Sequence, residues 1–260
     1  MHPLEFVDVV ILALIEGVAG ILPLDESAHR ALHAAVSGWQ AGSISVAIQA
    51  GALLAVLLWL WRDMIFIGQG LWKLRKGRME PGTRLLIKAL VASLPWIILD
   101  SWLGQPAIPL ALIGVLTILS ALVMGAIDAM SMTVKRIEHL SPLGSFAIGL
   151  VQIAALLPGV GRLPASLTVA RVIGLERPAA YRFVMLATVP VLLVGTIHSG
   201  ISYGLQGVGP GGGDALGFVF SFGLSWLALV LASVWLHRGG LLPFALYRLL
   251  VGGLMIWLGL

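Results

Sequence analysis

The chain has 260 residues, of which 59% are hydrophobic and 11% charged, with a mean hydropathy of +1.01 and a formal net charge of +4. Charge this sparse excludes an ordinary soluble domain, in which about a quarter of residues are charged, and the absence of cysteine excludes disulfides, thiolate metal sites and a cysteine nucleophile. The apolar runs are continuous rather than alternating, which excludes a β-barrel and predicts one all-α polytopic domain over residues 1–260.

Glu5 and Asp8 stand where a signal peptide would be basic, so the first apolar run is expected to stay in the protein. That run, residues 6–23, is broken by Glu16 and Pro23 and meets Asp25-Glu26 at once. A full span with that ending is not expected; residues 6–43 either cross or dip from the outer face, and Glu16, Pro23 and the acidic pair favour the dip. Ile44–Trp61 is a clean span holding Gln49 and Gly51, and the stretch after it is the most basic of the protein. Arg62, Lys73, Arg75, Lys76, Arg78 and Arg84 face only Asp63 and Glu80 there, which predicts a cytoplasmic loop rather than a nucleic-acid partner.

Leu85–Leu103 then leads outward and Ala107–Ile127 returns to Lys135 and Arg136. Residues 143–175 begin and end on the basic side, since Arg171, Arg177 and Arg182 follow, so this segment is expected to re-enter rather than cross. Phe183–Ser202 leads to an outside loop, Tyr203–Asp214, with no lysine or arginine; Leu216–Leu236 and Leu241–Leu260 complete the chain. The expectation is six transmembrane helices plus two re-entrant helix-loop-helix segments. Gly20-Ile21-Leu22-Pro23 parallels Ala155-Leu156-Leu157-Pro158, and three spans follow each, which suggests an inverted repeat of about 1–127 and 140–260.

Ionisable groups at membrane depth are costly and mark functional sites. Glu26 and His29 lie at i, i+3 on one helix face, with Asp25 and Ser27 beside them and Glu16 about three turns earlier. The carboxylates of Glu16, Asp25 and Glu26 can bind a divalent cation or accept a proton, and His29 can act as acid, base or nucleophile. The plainer alternative is a solvated helix end capped by Asp25 or Ser27, and His33 reads as peripheral. In the second dip, Gly159, Gly161, Arg162 and Ser166 form a glycine loop with a lone guanidinium, which suits phosphate oxygens or serves merely as a turn. Gln49 is mid-span and either glues helices or joins the site. The tryptophans, such as Trp96 and Trp102, read as interfacial anchors, Asp100 is expected at the interface, and His198 and Arg248 are expected to snorkel to it.

On these residues the chain resembles the undecaprenyl-diphosphate phosphatase family, bacterial membrane enzymes that remove one phosphate from a polyprenyl diphosphate and confer bacitracin resistance. Glu16-Gly17, Leu22-Pro23 and His29 fall in register with the family's E-G-x-x-E-F-L-P-x-S-S-T-G-H, and Pro158-Gly159 and Arg162 with its P-G-x-S-R-S-G-x-T. Ile48-Gln49-Ala50-Gly51 and Leu242–Arg248 also resemble family segments. The departures fall at the chemistry: Gly20 replaces the second glutamate, Asp25-Glu26 the serine pair, Gly161 and Leu163 the serines beside the arginine, and Pro164 the following glycine.

The resemblance implies a bacterial inner-membrane protein with its site open to the outer face, acting on undecaprenyl or another polyprenyl diphosphate to recycle the carrier lipid of cell-wall peptidoglycan synthesis. Glu16, Glu26, His29 and Arg162 are the candidate catalytic residues. Asp25, Ser27, Gly159, Gly161, Arg162, Ser166 and Gln49 are the candidate lipid-phosphate contacts, and Glu16, Asp25 and Glu26 the candidate Mg²⁺ or Ca²⁺ ligands. A non-catalytic polyprenyl-phosphate carrier, flippase or sensor on the same fold is the alternative. A homodimer is compatible with either reading.

Overall fold

A computed structural model describes residues 6–38, 46–103, 105–132, 135–205 and 212–260. Apart from one bridge between Lys135 and Leu175, the described residues form helices and turns. Helix α1 (Phe6–Leu14) runs into a π turn at Ile15–Ala19, and a chain reversal leads to α2 (Glu26–Ser37). Then follow α3 (Val46–Trp59), α4 (Trp61–Leu74), α5 (Pro81–Leu103) and α6 (Leu110–Met130). The second half also begins with a helix, a turn and a helix, α7 (Pro142–Gln152) with a 3₁₀ turn at Ile153–Leu156 and then α8 (Arg162–Val172), but three helices follow instead of four: α9 (Arg177–Leu205), α10 (Gly212–Arg238) and α11 (Leu242–Gly259). This is an all-α polytopic membrane protein.

Among the described residues five helices, α5, α6, α9, α10 and α11, are long and apolar enough to cross a bilayer, and a sixth span is reached there only by counting α3 and α4 together across a 75° bend. The basic stretch expected to be a loop is therefore helical from Trp61 to Leu74. Its buried positions, Asp63, Ile67 and Gly70, recur at helical spacing and face α5 and α9, a pattern that the charge count alone concealed. Both expected dips are helix-turn-helix units. Of the expected loop Tyr203–Asp214, Tyr203–Leu205 end α9 and Gly212–Asp214 begin α10, so the helices are longer than their apolar runs; residues 206–211, and residues 39–45 before α3, lie outside the described residues.

Lipid tails offer no hydrophobic drive to helix pairing, so close approach at small residues does the work. A Cβ on Gly114 would lie 2.5 Å from the Gly252 carbonyl oxygen, and one on Gly252 2.8 Å from that of Gly114, so α6 and α11 meet backbone to backbone. Gly51 brings α3 equally near Phe218 of α10. The pairings also exchange between halves: α1 packs on α10, as α7 packs on α5. Gln152 secures the second contact by donating to the Ala92 carbonyl at 2.9 Å.

One end of the bundle is tied by charge. Asp128 accepts from Arg171 at 2.8 Å, from Arg177 at 2.9 Å and from the Leu241 N–H at 2.9 Å. Asp63 takes both arms of Arg182, at 2.5 and 2.9 Å.

Candidate functional site

The two chain reversals meet at their helix starts. Asp25 caps α2 with φ +82°, and Gly161 precedes α8 with φ +76°. A left-handed conformation is uncommon for any residue but glycine, so Asp25 is held there by its surroundings. Its Oδ1 accepts from the Ser27 N–H at 3.1 Å and the Ser27 hydroxyl at 2.7 Å, and its Oδ2 accepts from the Gly159 N–H at 2.8 Å. The last of these joins the two reversals across 134 positions of sequence. A Cβ on Gly161 would lie 2.7 Å from the Asp25 Cβ, so an aspartate at 25 and a side chain at 161 compete for one space.

The next residue of each helix, Glu26 and Arg162, faces a shared cavity of about 280 Å³. Glu16, Arg30, Gln49, Asp100 and His198 line it too, with Trp96 and Val191 among its apolar walls. A small recess beyond Glu26 and Arg162 reaches Gly20, Asp25 and Ser27. Arg162 is anchored by donating to the Thr188 hydroxyl at 3.0 Å, Arg30 by donating to Glu26 at 3.1 Å, and Gln49 by accepting from the Ser199 hydroxyl at 3.0 Å. Glu16 is buried with its Oε2 lacking a hydrogen-bond partner among the described residues, and the charges acting on it are those of Glu26, Arg30 and Arg162.

The carboxylate of Glu26 stands over Gly20: a Cβ there would lie 2.7 Å from Glu26 Oε2 and 2.6 Å from the Glu16 carbonyl oxygen. The position where the resemblance expects a glutamate is thus bare, and an acidic group reaches the same place from α2.

The predicted residues divide accordingly. Glu16, Glu26, Gln49 and Arg162 are brought together. Asp25 has both oxygens engaged in the junction, as the capping alternative expected, and among the described residues no group of three or more His, Asp or Glu side chains is arranged to hold a metal ion. Gly159 donates to Asp25 and accepts from Ser120 and Arg248, each at 2.8 Å, so its backbone is committed to the fold. Ser27 borders the recess with its hydroxyl turned to Asp25. Ser166 is fully buried, its hydroxyl without a partner among the described residues, and away from the cavity lining. His29 is also absent from that lining; its Nδ1 pairs with the Asp25 carbonyl oxygen at 2.6 Å, and its Nε2 with the Tyr247 hydroxyl at 2.9 Å.

Two expectations are extended and two corrected. Asp100 and His198, expected at the interface, are exposed and line the cavity as well, so for these two the finding adds to the expectation. Trp96 is only 8% exposed and walls the cavity instead of anchoring the surface. Arg248 does not snorkel: it is fully buried, and its Nη2 donates to Ser120 at 2.6 Å and to the Gly159 and Val160 carbonyls at 2.8 and 3.0 Å. Those carbonyls belong to a reversal with no helical partners of its own, and a buried cation is retained where such groups need a donor. Arg30, which sequence reasoning passed over, was legible as the i+4 partner of Glu26.

Comparison with known proteins gives concordant results. The family described as Bacitracin resistance protein BacA matches residues 9–254. Undecaprenyl-diphosphatase 1 of Rhodospirillum rubrum is 36% identical, covering 95% of this chain and 93% of its own. Undecaprenyl-diphosphatase 1 of Paramagnetospirillum magneticum is 33% identical over 95% and 94%, and undecaprenyl-diphosphatase of Alcanivorax borkumensis 34% identical over 98% and 100%.

Proposed function

We propose that this chain, which belongs to the bacitracin resistance protein BacA family, hydrolyses a polyprenyl diphosphate of the undecaprenyl class to its monophosphate in the cytoplasmic membrane of a bacterium. One observation carries the reading: Arg162, Arg30, Glu16 and Glu26 line one cavity between the two chain reversals, with Arg30 paired to Glu26 on α2. Two guanidinium groups match a diphosphate, each offering a planar fork to phosphoryl oxygens. The apolar walls suit the start of a prenyl chain.

In this reading Arg162 and Arg30 hold the two phosphates and draw off charge as the bridging P–O bond breaks. Water attacks the terminal phosphorus, Glu26 takes its proton, prenyl monophosphate leaves, and the proton passes to the released phosphate. Asp25 and Gly159 hold the turns that set this geometry and do not touch the phosphates, and His29 positions α2 against Tyr247.

Glu16 and Glu26 fit a divalent cation in part. The unpartnered Glu16 Oε2 is an acceptor awaiting a proton or an ion, and substrate oxygens would complete the ligand set, because Asp25 is engaged elsewhere. Bound there, Mg²⁺ or Ca²⁺ would neutralise developing phosphoryl charge.

The test is phosphate release from a C55 or shorter prenyl diphosphate by the purified protein, with Mg²⁺, with Ca²⁺ and with chelator, beside Arg162→Ala. Release that rises with the ion and falls at least ~100-fold in the variant is expected. Release equal to the variant's under every condition overturns the hydrolase, and prenyl-phosphate binding persisting in that sample assigns a non-catalytic carrier instead.

A further inference from the structure

Helix α4 leaves α3 at a 75° bend and is 14 residues long. At about 1.5 Å per residue it extends ~21 Å, and at that bend it advances only ~5 Å along the direction of α3. With α3 packed along the spanning helix α10, α4 lies near the plane of the membrane. Its residues sort into three faces at 100° per residue. Asp63, Ile67 and Gly70 form the packed face, Asp63 taking Arg182 and Gly70 closing on Thr83. Trp61, Ile65 and Trp72 form an apolar face and are all more than half exposed. Arg62, Gln69 and Lys73 form the third.

The cations of this region lack an equal set of acids. Asp63 is buried against Arg182, and Glu80 is met by Lys73 at 3.5 Å. Arg62, Arg75, Lys76 and Arg78 stand exposed beside them. Two of the guanidinium groups sit over the exposed tryptophans, Arg62 over Trp61 at 5.3 Å and Arg75 over Trp72 at 5.5 Å. Indole at the acyl boundary with a cation above it, among the head groups, is the layering a bilayer surface selects.

We propose that α4 and the turn after it form a docking surface for anionic phospholipid head groups, with Trp61, Ile65 and Trp72 in the acyl boundary and Arg62, Lys73, Arg75 and Lys76 on the phosphates. Charge complementarity selects this occupant: juxtamembrane cations gain most from a negatively charged leaflet. A continuation of the span would instead sink Arg62 and Lys73 into hydrocarbon.

The chain contains no cysteine, so single spin labels are clean. Gly68, whose Cβ would meet open space, lies on the apolar side between Trp61 and Trp72, and Gln69 is a further 100° round the helix. In phosphatidylcholine bilayers containing phosphatidylglycerol, the label on Gly68→Cys should be relaxed by oxygen, and that on Gln69→Cys by an aqueous nickel reagent. Spin-labelled phosphatidylglycerol should be retained over phosphatidylcholine, and Arg62→Gln/Lys73→Gln/Arg75→Gln/Lys76→Gln should erode that preference by up to about fivefold per cation. Two aqueous labels, two hydrocarbon labels, or a lipid preference unchanged in the charge-stripped variant would each overturn the proposal. A label at 68 that leaves water only when another protein is added assigns the face to that protein and equally overturns it.

Discussion

The three hydrogen bonds to the Asp25 carboxylate would all be lost in Asp25→Ala, leaving the Gly159 N–H without its acceptor at a buried junction. The lost cap costs about 1 kcal/mol and the charged hydrogen bond to an orphaned donor about 1.5–3, so a loss of about 2–4 kcal/mol is expected. Alanine at φ +82° adds strain to that. Glu26 is one residue away and in a different situation. Its pair with Arg30 is partly solvated, with side chains 29% and 23% exposed, and pairs of that kind contribute only about 0.3–0.5 kcal/mol. Glu26→Gln should therefore melt close to the parent while losing on the order of 100-fold or more in phosphate release. Thermal melts and turnover measured on the same preparations separate the two carboxylates. A parent-like melt for Asp25→Ala, or parent-like turnover for Glu26→Gln, would reverse their assignment.

Between elements, the α6–α11 contact bears on the site because α6 carries Ser120 and α11 carries Arg248, the two side chains that hold the Gly159 carbonyl. Gly114→Val has no room against the Gly252 backbone, and over-packing of this kind costs about 1–3 kcal/mol. The helices must part, so the variant should melt lower and lose turnover although position 114 lies off the cavity lining; unchanged melting and turnover would show that the contact is not tight. The two helix-turn-helix units were legible because Glu16, Pro23 and Asp25-Glu26 interrupt the first apolar run, and because basic residues on both sides of residues 143–175 disfavour a crossing. Helix α4 was not legible to a reading by charge, since its packed face is three residues spaced through a basic run. Asp100 and His198 were visible as ionisable residues within spans, but their nearness to span ends favoured the interface, and only the fold places a cavity beside them. The loss of an acid at position 20 and the gain of two at 25 and 26 were visible in sequence; that Glu26 is the one that reaches the vacated place was not, because it depends on α2 folding back over the π turn.

Across the whole molecule, charge and cavity lie at opposite ends of the same helices. On α9, Arg182 binds Asp63 and His198 lines the cavity, and the 16 positions between them correspond to about 24 Å of helix. On α5, Arg84 and Asp100 are equally far apart in sequence, and Asp100 again is at the cavity. Lys135, Arg171 and Arg177 gather at the Arg182 end, through the Lys135–Leu175 bridge and the Asp128 cluster. The positive-inside rule assigns that end to the cytoplasm, so the cavity should open toward the outer leaflet. Single cysteines in this cysteine-free chain test the assignment directly. Gln206→Cys, in the stretch between α9 and α10 that holds no lysine or arginine, should react with a membrane-impermeant maleimide in intact spheroplasts, and Lys76→Cys only after permeabilisation. His198→Cys should follow Gln206→Cys, more slowly because it lines a cavity. Labelling of Lys76→Cys alone in intact cells would invert the orientation and turn the cavity to the cytoplasm, and labelling of both loops would mean that the chain inserts in both directions.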